Sequence, residues 1–248
     1  MEFASYAPDL GIGALNTTGY AGYNSTTTLF ANQPTFNIRL AGTAIPVTPG
    51  GSLVNALNIA NSTVTPVAVT FSGAGDVLNL RSGGLMIQNN ITGAGTTTIG
   101  TAALPGVLTA GGSLPGVASD LYLYYFGQGT ALTVNSKITD NPTDASAVRL
   151  VVWGGTASGV ANVILANGSA GVNGPNNYTG GTVVSQATLT VGATGNLPAP
   201  TSGVGITLNQ GQLTQVAGGV IAPRQNLSFQ RIREANPLAQ RHLAPGPH

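Results

Sequence analysis

The chain has 248 residues, no cysteine, a net charge of +1, and charged side chains at only 6% of its positions. That excludes disulfides, thiolate metal sites and a cysteine nucleophile, and it gives no electrostatic reason for a polyanionic partner. Hydrophobic residues reach 42%, mostly small aliphatics, and 36 Gly and 15 Pro punctuate them, which predicts many tight turns between short strands.

Residues 1–50 read as a turn-rich, cap-like segment, with Tyr6, Tyr20 and Tyr23 among Gly and Thr and one strand expected at 36–40. Solenoid-like repeats are expected over 51–223. Short alternating units fall at 57–59, 67–71, 77–80, 85–87, 96–99 and 107–108, most of them followed by Gly or Asn. In the unit DVLNLRSGGLMI, alternation puts Leu78 and Leu80 on one face and Asn79 and Arg81 on the other. The run LYLYYF at 121–126 is the most aromatic; Tyr122 and Tyr124 share one face, with Leu121, Leu123 and Tyr125 on the other. A strand at 132–134 and a turn at 137–141 follow, then strands at 148–152 and 160–166.

The clearest unit is NNYTGGTVVSQATLTVGATGNLP at 176–198. A turn cluster opens it, Thr182-Val183-Val184 forms one strand, Ser185-Gln186-Ala187 a break, and 188–191 a second strand. Related units recur at about 21 residues (Leu57 to Leu78) and about 17 (Leu189 to Ile206), near the period of β-solenoid rungs. Roughly ten rungs, at about 4.8 Å each, would make a rod about 50 Å long.

This unit resembles the autotransporter-associated β-strand repeat of bacterial surface proteins. The resemblance rests on N-x-Y-T-G-G-T-x-V, carried by Asn177, Tyr178, Thr179, Gly180 and Gly181, and on the later LTVGA carrying Leu189 and Val191. The upstream LTVNSKITDN at 132–141 and the downstream GITLNQGQLTQ are similar to further family segments. Between them, LVVWGG at 150–155 is a looser version of a family rung, with Trp153 in place of the usual basic residue. The resemblance implies a right-handed parallel β-helix. It also implies a structural or adhesive passenger segment at the cell surface, exported across the bacterial outer membrane. The partners expected are a host or cell-surface glycan or protein. Read from the residues themselves, the aromatic run Tyr122, Tyr124, Tyr125 and Phe126 suits a carbohydrate-stacking or protein-contact strip, with Tyr122 and Tyr124 together on one face, and a half-buried strand carries the same pattern. No nucleic acid and no membrane insertion by this chain are expected.

Met1-Glu2-Phe3-Ala4 lacks the basic start of a secretory signal, and no apolar run reaches the roughly 20 residues of a membrane helix. The export signal and the anchor are therefore expected outside this chain. Past Pro223 the strand pattern stops, and 224–248 reads as a basic tail bearing Arg224, Arg231, Arg233 and Arg241, unlike the family and open to a non-native origin. A short helix is expected within 231–243. Three arginines without interleaved aromatics are a weak nucleic-acid signal.

No catalytic, cofactor or metal residue is expected. The only histidines, His242 and His248, lie in the tail, so neither a Ser-His-Asp triad nor a histidine metal site has its parts. Asp120, Asp140 and Asp144 read as turn residues. The rival readings are a carbohydrate-active β-helix enzyme, which needs two carboxylates facing one site, and a fibre shaft, which would trimerise.

Overall fold

In a computed structural model the chain is described over residues 3–7, 10–19, 22–24, 28–61, 67–89, 97–112, 114–126, 131–154, 161–167, 172–193, 195–198, 205–221 and 227–230. Among these residues there is no helix, and the architecture is a parallel β-solenoid. The helix expected within 231–243, and Arg224, Arg231, Arg233 and Arg241, lie outside the described residues.

Alternating Val, Leu and Ile build two main sheets that face one another across a narrow core. The second sheet takes one strand from each coil: Ala44–Pro46, Ala68–Thr70, Thr97–Ile99, Leu132–Val134, Ala161–Leu165, Ala187–Val191 and Gln212–Gln215, all parallel. The first sheet begins with Asn32–Leu40, Ser52–Asn61 and the long strand Val77–Asn89. It then forks. The first half of Val77–Asn89 pairs with Val107–Ala110 and onward to Lys137–Ile138. The second half pairs with Ser119–Tyr125, followed by Val148–Trp153, Thr182–Ser185, Ile206–Asn209 and Leu227–Gln230.

Parallel register turns the alternation of each strand into ladders that run along the solenoid. Ile45, Val69, Ile99, Val134, Leu165 and Val191 form one inward row, and Leu57, Leu85, Leu123, Val152, Val184 and Leu208 form the facing one. Every member is buried. At about 1.5–3 kcal/mol per buried Val or Leu, these rows dominate the stabilisation. Truncating one mid-row residue such as Leu123 to Ala should cost about 2–5 kcal/mol.

The corners are built as repeats too. Gln186 and Gln210 occupy the bend between the two sheets in successive coils, with φ of 50° and 55°. Their side chains meet, Gln186 Nε2 donating to Gln210 Oε1 at 3.3 Å.

Several expectations change in detail. The second sheet has seven strands, which at about 4.8 Å per step gives a stack about 30 Å long in place of roughly ten rungs and 50 Å. The short periods were mispaired. Leu57 stands beside Leu85 and Leu189 beside Leu213, whereas Leu78 pairs with Ser52 and Leu108, and Ile206 with Thr182. The cause is that Leu-x-Leu alternation recurs within the long strand Val77–Asn89, and again in both sheets of one coil, so like units recur faster than the coil itself. Lys137–Ile138 is a strand and not part of a turn.

Both domain boundaries also move. Solenoid strands start at Asn32, before residue 51, and Leu227–Gln230 extends the first sheet into the segment read as a tail. Near the N-terminus, Asn24 makes a parallel bridge to Ile38 and Leu29 enters the core. The antiparallel hairpin of Ala4–Ala7 and Gly11–Ala14 has a different position: Phe3 beside it lies against the outer face of the first sheet.

Candidate functional site

The strip read at Tyr122 and Tyr124 is present and is larger than the sequence indicated. In the strand Ser119–Tyr125, Leu121, Leu123 and Tyr125 are buried, while Tyr122 and Tyr124 face outward and are half-buried. Their rings are parallel within 4°, with centroids 5.6 Å apart. The next coil places Trp153 beside Tyr124, edge to face at 5.6 Å and 78°. Phe126, just past the strand, meets the same Trp153 at 5.1 Å and 65°. Such pairs contribute about 0.5–1.5 kcal/mol each beyond their buried area, so the four rings hold one another in place.

An ion pair closes one end of the strip. Arg149 donates from Nε to Asp120 Oδ1 and from Nη2 to Oδ2, both at 2.7 Å. Tyr122 Oη also donates to Asp120 Oδ2 at 2.7 Å. Burial alone would raise the Asp120 pKa. The hydrogen bonds from Arg149 and Tyr122, with the charge of Arg149, outweigh burial and hold the carboxyl below its usual range. Tyr122 is pushed up to about 12 by burial and then by its bond to Asp120.

Trp153, Asp120 and Arg149 were not assigned to this site from sequence, whereas Phe126 belongs to the aromatic run read there. Period-two alternation would have placed Phe126 on the outer face. Trp153 and Arg149 needed the inter-coil register, a separation of 29 residues at Asp120–Arg149.

The repeat-motif residues have structural tasks. Tyr178 is buried, and its hydroxyl hydrogen-bonds to Thr182 Oγ1 at 2.8 Å. Thr179 binds the preceding coil through Asp140: its N–H donates to Oδ1 and its hydroxyl to Oδ2, both at 2.8 Å. Gly180 passes so close to that coil that a Cβ would stand 2.6 Å from Val148 O, and Gly181 has a φ of +84°. Leu189 and Val191 are core ladder residues.

Asn177 is exposed; its backbone N–H donates to Ile138 O. The buried asparagine is its neighbour. Asn176 exchanges bonds with Asn196, 20 residues further on and past the two strands of the coil: each Nδ2 donates to the other's backbone carbonyl at 3.0 Å, and Asn176 N–H donates to Asn196 Oδ1 at 2.8 Å. Asn176 Oδ1 also accepts from Ile138 N–H at 2.8 Å, stitching in a third segment.

The three aspartates weighed as catalytic candidates occupy separate structural roles. Asp120 is clasped by Arg149, Asp140 accepts from Val148 N–H besides Thr179, and Asp144 Oδ1 accepts from Ser146 N–H. A separate cleft of about 450 Å³ lies between the Pro49–Gly50 turn, Asn79, and Pro142 with Thr143. None of its described lining residues is titratable. Among the described residues, no three His, Cys, Asp or Glu converge as metal ligands, and no helix is long and apolar enough to cross a membrane. Comparison with family models, with curated proteins and with solved structures returns no match.

Proposed function

We propose that this chain is a structural, adhesive segment of a bacterial autotransporter-like passenger: a β-helical stalk at the cell surface. Its aromatic strip contacts a host or cell-surface glycan or protein, and it carries out no catalysis. The observation that carries the reading is the strip itself. Four rings from adjacent coils, Tyr122, Tyr124, Phe126 and Trp153, are fixed by mutual contact and by the Asp120–Arg149 pair, yet stay half-buried on the outside of a rigid stack. Amphipathic rings held in that way suit a contact surface. Thr179 and Gly180 support the repeat resemblance, because each has a task set by stacking on the preceding coil.

The test is adhesion. Beads coated with the chain should adhere to an epithelial cell layer, and beads carrying a Tyr122→Ala, Tyr124→Ala, Trp153→Ala variant should lose most of that adhesion. Equal adhesion by both, at matched β-content by circular dichroism, would refute the strip as the contact surface.

A further inference from the structure

The outer face of the first sheet is buried on one side of Tyr122 and half-buried on the other, at Tyr122, Tyr124, Phe126 and Trp153. On strands Ser52–Asn61 and Val77–Asn89, the outward positions Ala56, Asn58, Gly84 and Met86 are buried. N-terminal residues lie over them. A Cβ on Gly84 would stand 2.9 Å from the Phe3 ring, so that ring rests on the bare glycine backbone. Tyr23 Oη accepts a hydrogen bond from Asn58 Nδ2 at 2.8 Å, and the Arg39 guanidinium lies 5.8 Å from the Tyr23 ring centroid. Leu15 N–H donates to Phe3 O at 2.8 Å, tying the Phe3 anchor to the hairpin. This face therefore already binds one polypeptide segment, through aromatic anchors set on small or polar outward residues.

Strand register carries the covered rows directly into the half-buried strip. Gly84 pairs with Tyr122 and Met86 with Tyr124; these pair in turn with Val151 and Trp153. Part of the strip's hydrogen-bonding capacity is already engaged within the chain. The Tyr122 hydroxyl is committed to Asp120, and both Asp120 oxygens are taken by Arg149 and Tyr122. The rings do not form one flat platform, since Trp153 stands at 78° to Tyr124 and 65° to Phe126. Tyr, Trp, Phe and Arg are residue types enriched in protein–protein interfaces, and the one acid here, Asp120, is neutralised by Arg149.

We propose that the outer face is one continuous polypeptide-docking surface. Its first half is occupied by the chain's own Phe3 and Tyr23, and its second half, Tyr122, Tyr124, Phe126 and Trp153, takes an aromatic-bearing segment of another protein. This rests on the strip being the contact surface and selects protein over glycan as its ligand.

Trp153 is the only tryptophan, so its fluorescence reads the strip without a label. The full chain is titrated with a synthetic peptide of residues 1–19, with the same peptide bearing Phe3→Ala, and with cellohexaose. The tethered N-terminal segment competes for its own seat at roughly millimolar effective concentration, leaving the strip to the added peptide. The peptide should shift Trp153 emission saturably. Its Phe3→Ala form should bind about tenfold more weakly, as should the native peptide with Tyr124→Gln or Phe126→Ser chains, either of which suffices if the other misfolds. Cellohexaose should leave emission unchanged. Saturation by cellohexaose with no response to peptide overturns this inference while leaving the strip as a contact surface. A peptide response indifferent to Phe3 and to the strip variants also overturns it. No response to any probe overturns it too, and coupled with undiminished adhesion of the strip variant it removes the contact-surface reading as well.

Discussion

Arg149 grips Asp120 across one full coil, 29 residues away in sequence, through two hydrogen bonds of 2.7 Å. The pair is a rivet between neighbouring strands on the outer face. In a chain with 6% charged residues it is a rare case of charge placed against charge.

Its contribution should be small and acid-labile. The Arg149 side chain is 45% exposed and that of Asp120 21%, so solvent screening limits the pair to about 0.2–1 kcal/mol. Because the folded-state pKa of Asp120 is lowered, the stabilisation is complete above the unfolded value of about 3.9 and disappears as pH falls through the lower folded value. A double-mutant cycle with Asp120→Asn and Arg149→Gln, read by urea denaturation at pH 7 and pH 3, should show weaker coupling at the second pH than at the first. Coupling that persists unchanged at pH 3 would contradict this account.

Two adjacent asparagines should behave very differently. Asn176→Ala removes a buried amide and takes away the partners it gives the Ile138 N–H and the Asn196 backbone carbonyl, at a cost of about 2–4 kcal/mol. Asn177→Ala changes an exposed side chain, and its effect should stay within about 0.5 kcal/mol. Urea melts of the two variants decide the matter; similar losses would mean that the Asn176–Asn196 exchange contributes little.

These asparagines also show where the sequence is legible and where it is not. Strands could be read wherever alternation is local: residues 182–191 resolve into Thr182–Ser185 and Ala187–Val191, broken at Gln186 as expected. The outward pairing of Tyr122 with Tyr124 is equally local. What could not be read depends on which coil lies next to which. Asn177 fits the repeat pattern, yet Asn176 is the residue that meets Asn196. Trp153 reads as a departure from the pattern, yet it completes the aromatic strip. Coil length varies, with partners 24 residues apart at Gln186–Gln210 and 29 at Asp120–Arg149, so no single period predicts the register.

The paired glycines should separate contact from conformation. At Gly180 a Cβ would meet Val148 O at 2.6 Å and Arg149 N at 2.7 Å, backbone atoms that cannot rotate away. Gly180→Ala should therefore cost about 1–3 kcal/mol by pushing two coils apart. Gly181→Ala forces a left-handed φ of +84° on a residue with a side chain, about 1–2 kcal/mol. Gly75 has open space around it and no positive φ, so Gly75→Ala should be neutral or slightly stabilising through the unfolded chain. Thermal melts that rank Gly75→Ala with the other two would refute the close-approach argument.

Alkali should unfold this chain chiefly through its tyrosines. It has one lysine, Lys137, and no cysteine, so between pH 10 and 12 the phenols are almost the only side chains that titrate. Burial pushes Tyr125 up to about 12; burial and the bond to Asp120 do the same for Tyr122. Burial also raises Tyr124 and the fully enclosed Tyr178. A folded-state pKa above the unfolded value of about 10 means that the unfolded chain ionises first. The contribution of these rings is thus complete below pH 10 and is lost as pH rises through the folded values. Thermal midpoints should hold steady up to pH 9 and fall steeply above 10. Tyrosinate absorbance at 295 nm should lag behind that of seven free phenols until the β-signal collapses. Tyr178→Phe should flatten the pH dependence, since it removes one late proton, while costing about 1 kcal/mol at neutral pH for its bond to Thr182. If all seven tyrosines ionise together near pH 10 with the β-signal intact, the rings are solvated and the burial assigned to Tyr125 and Tyr178 is wrong.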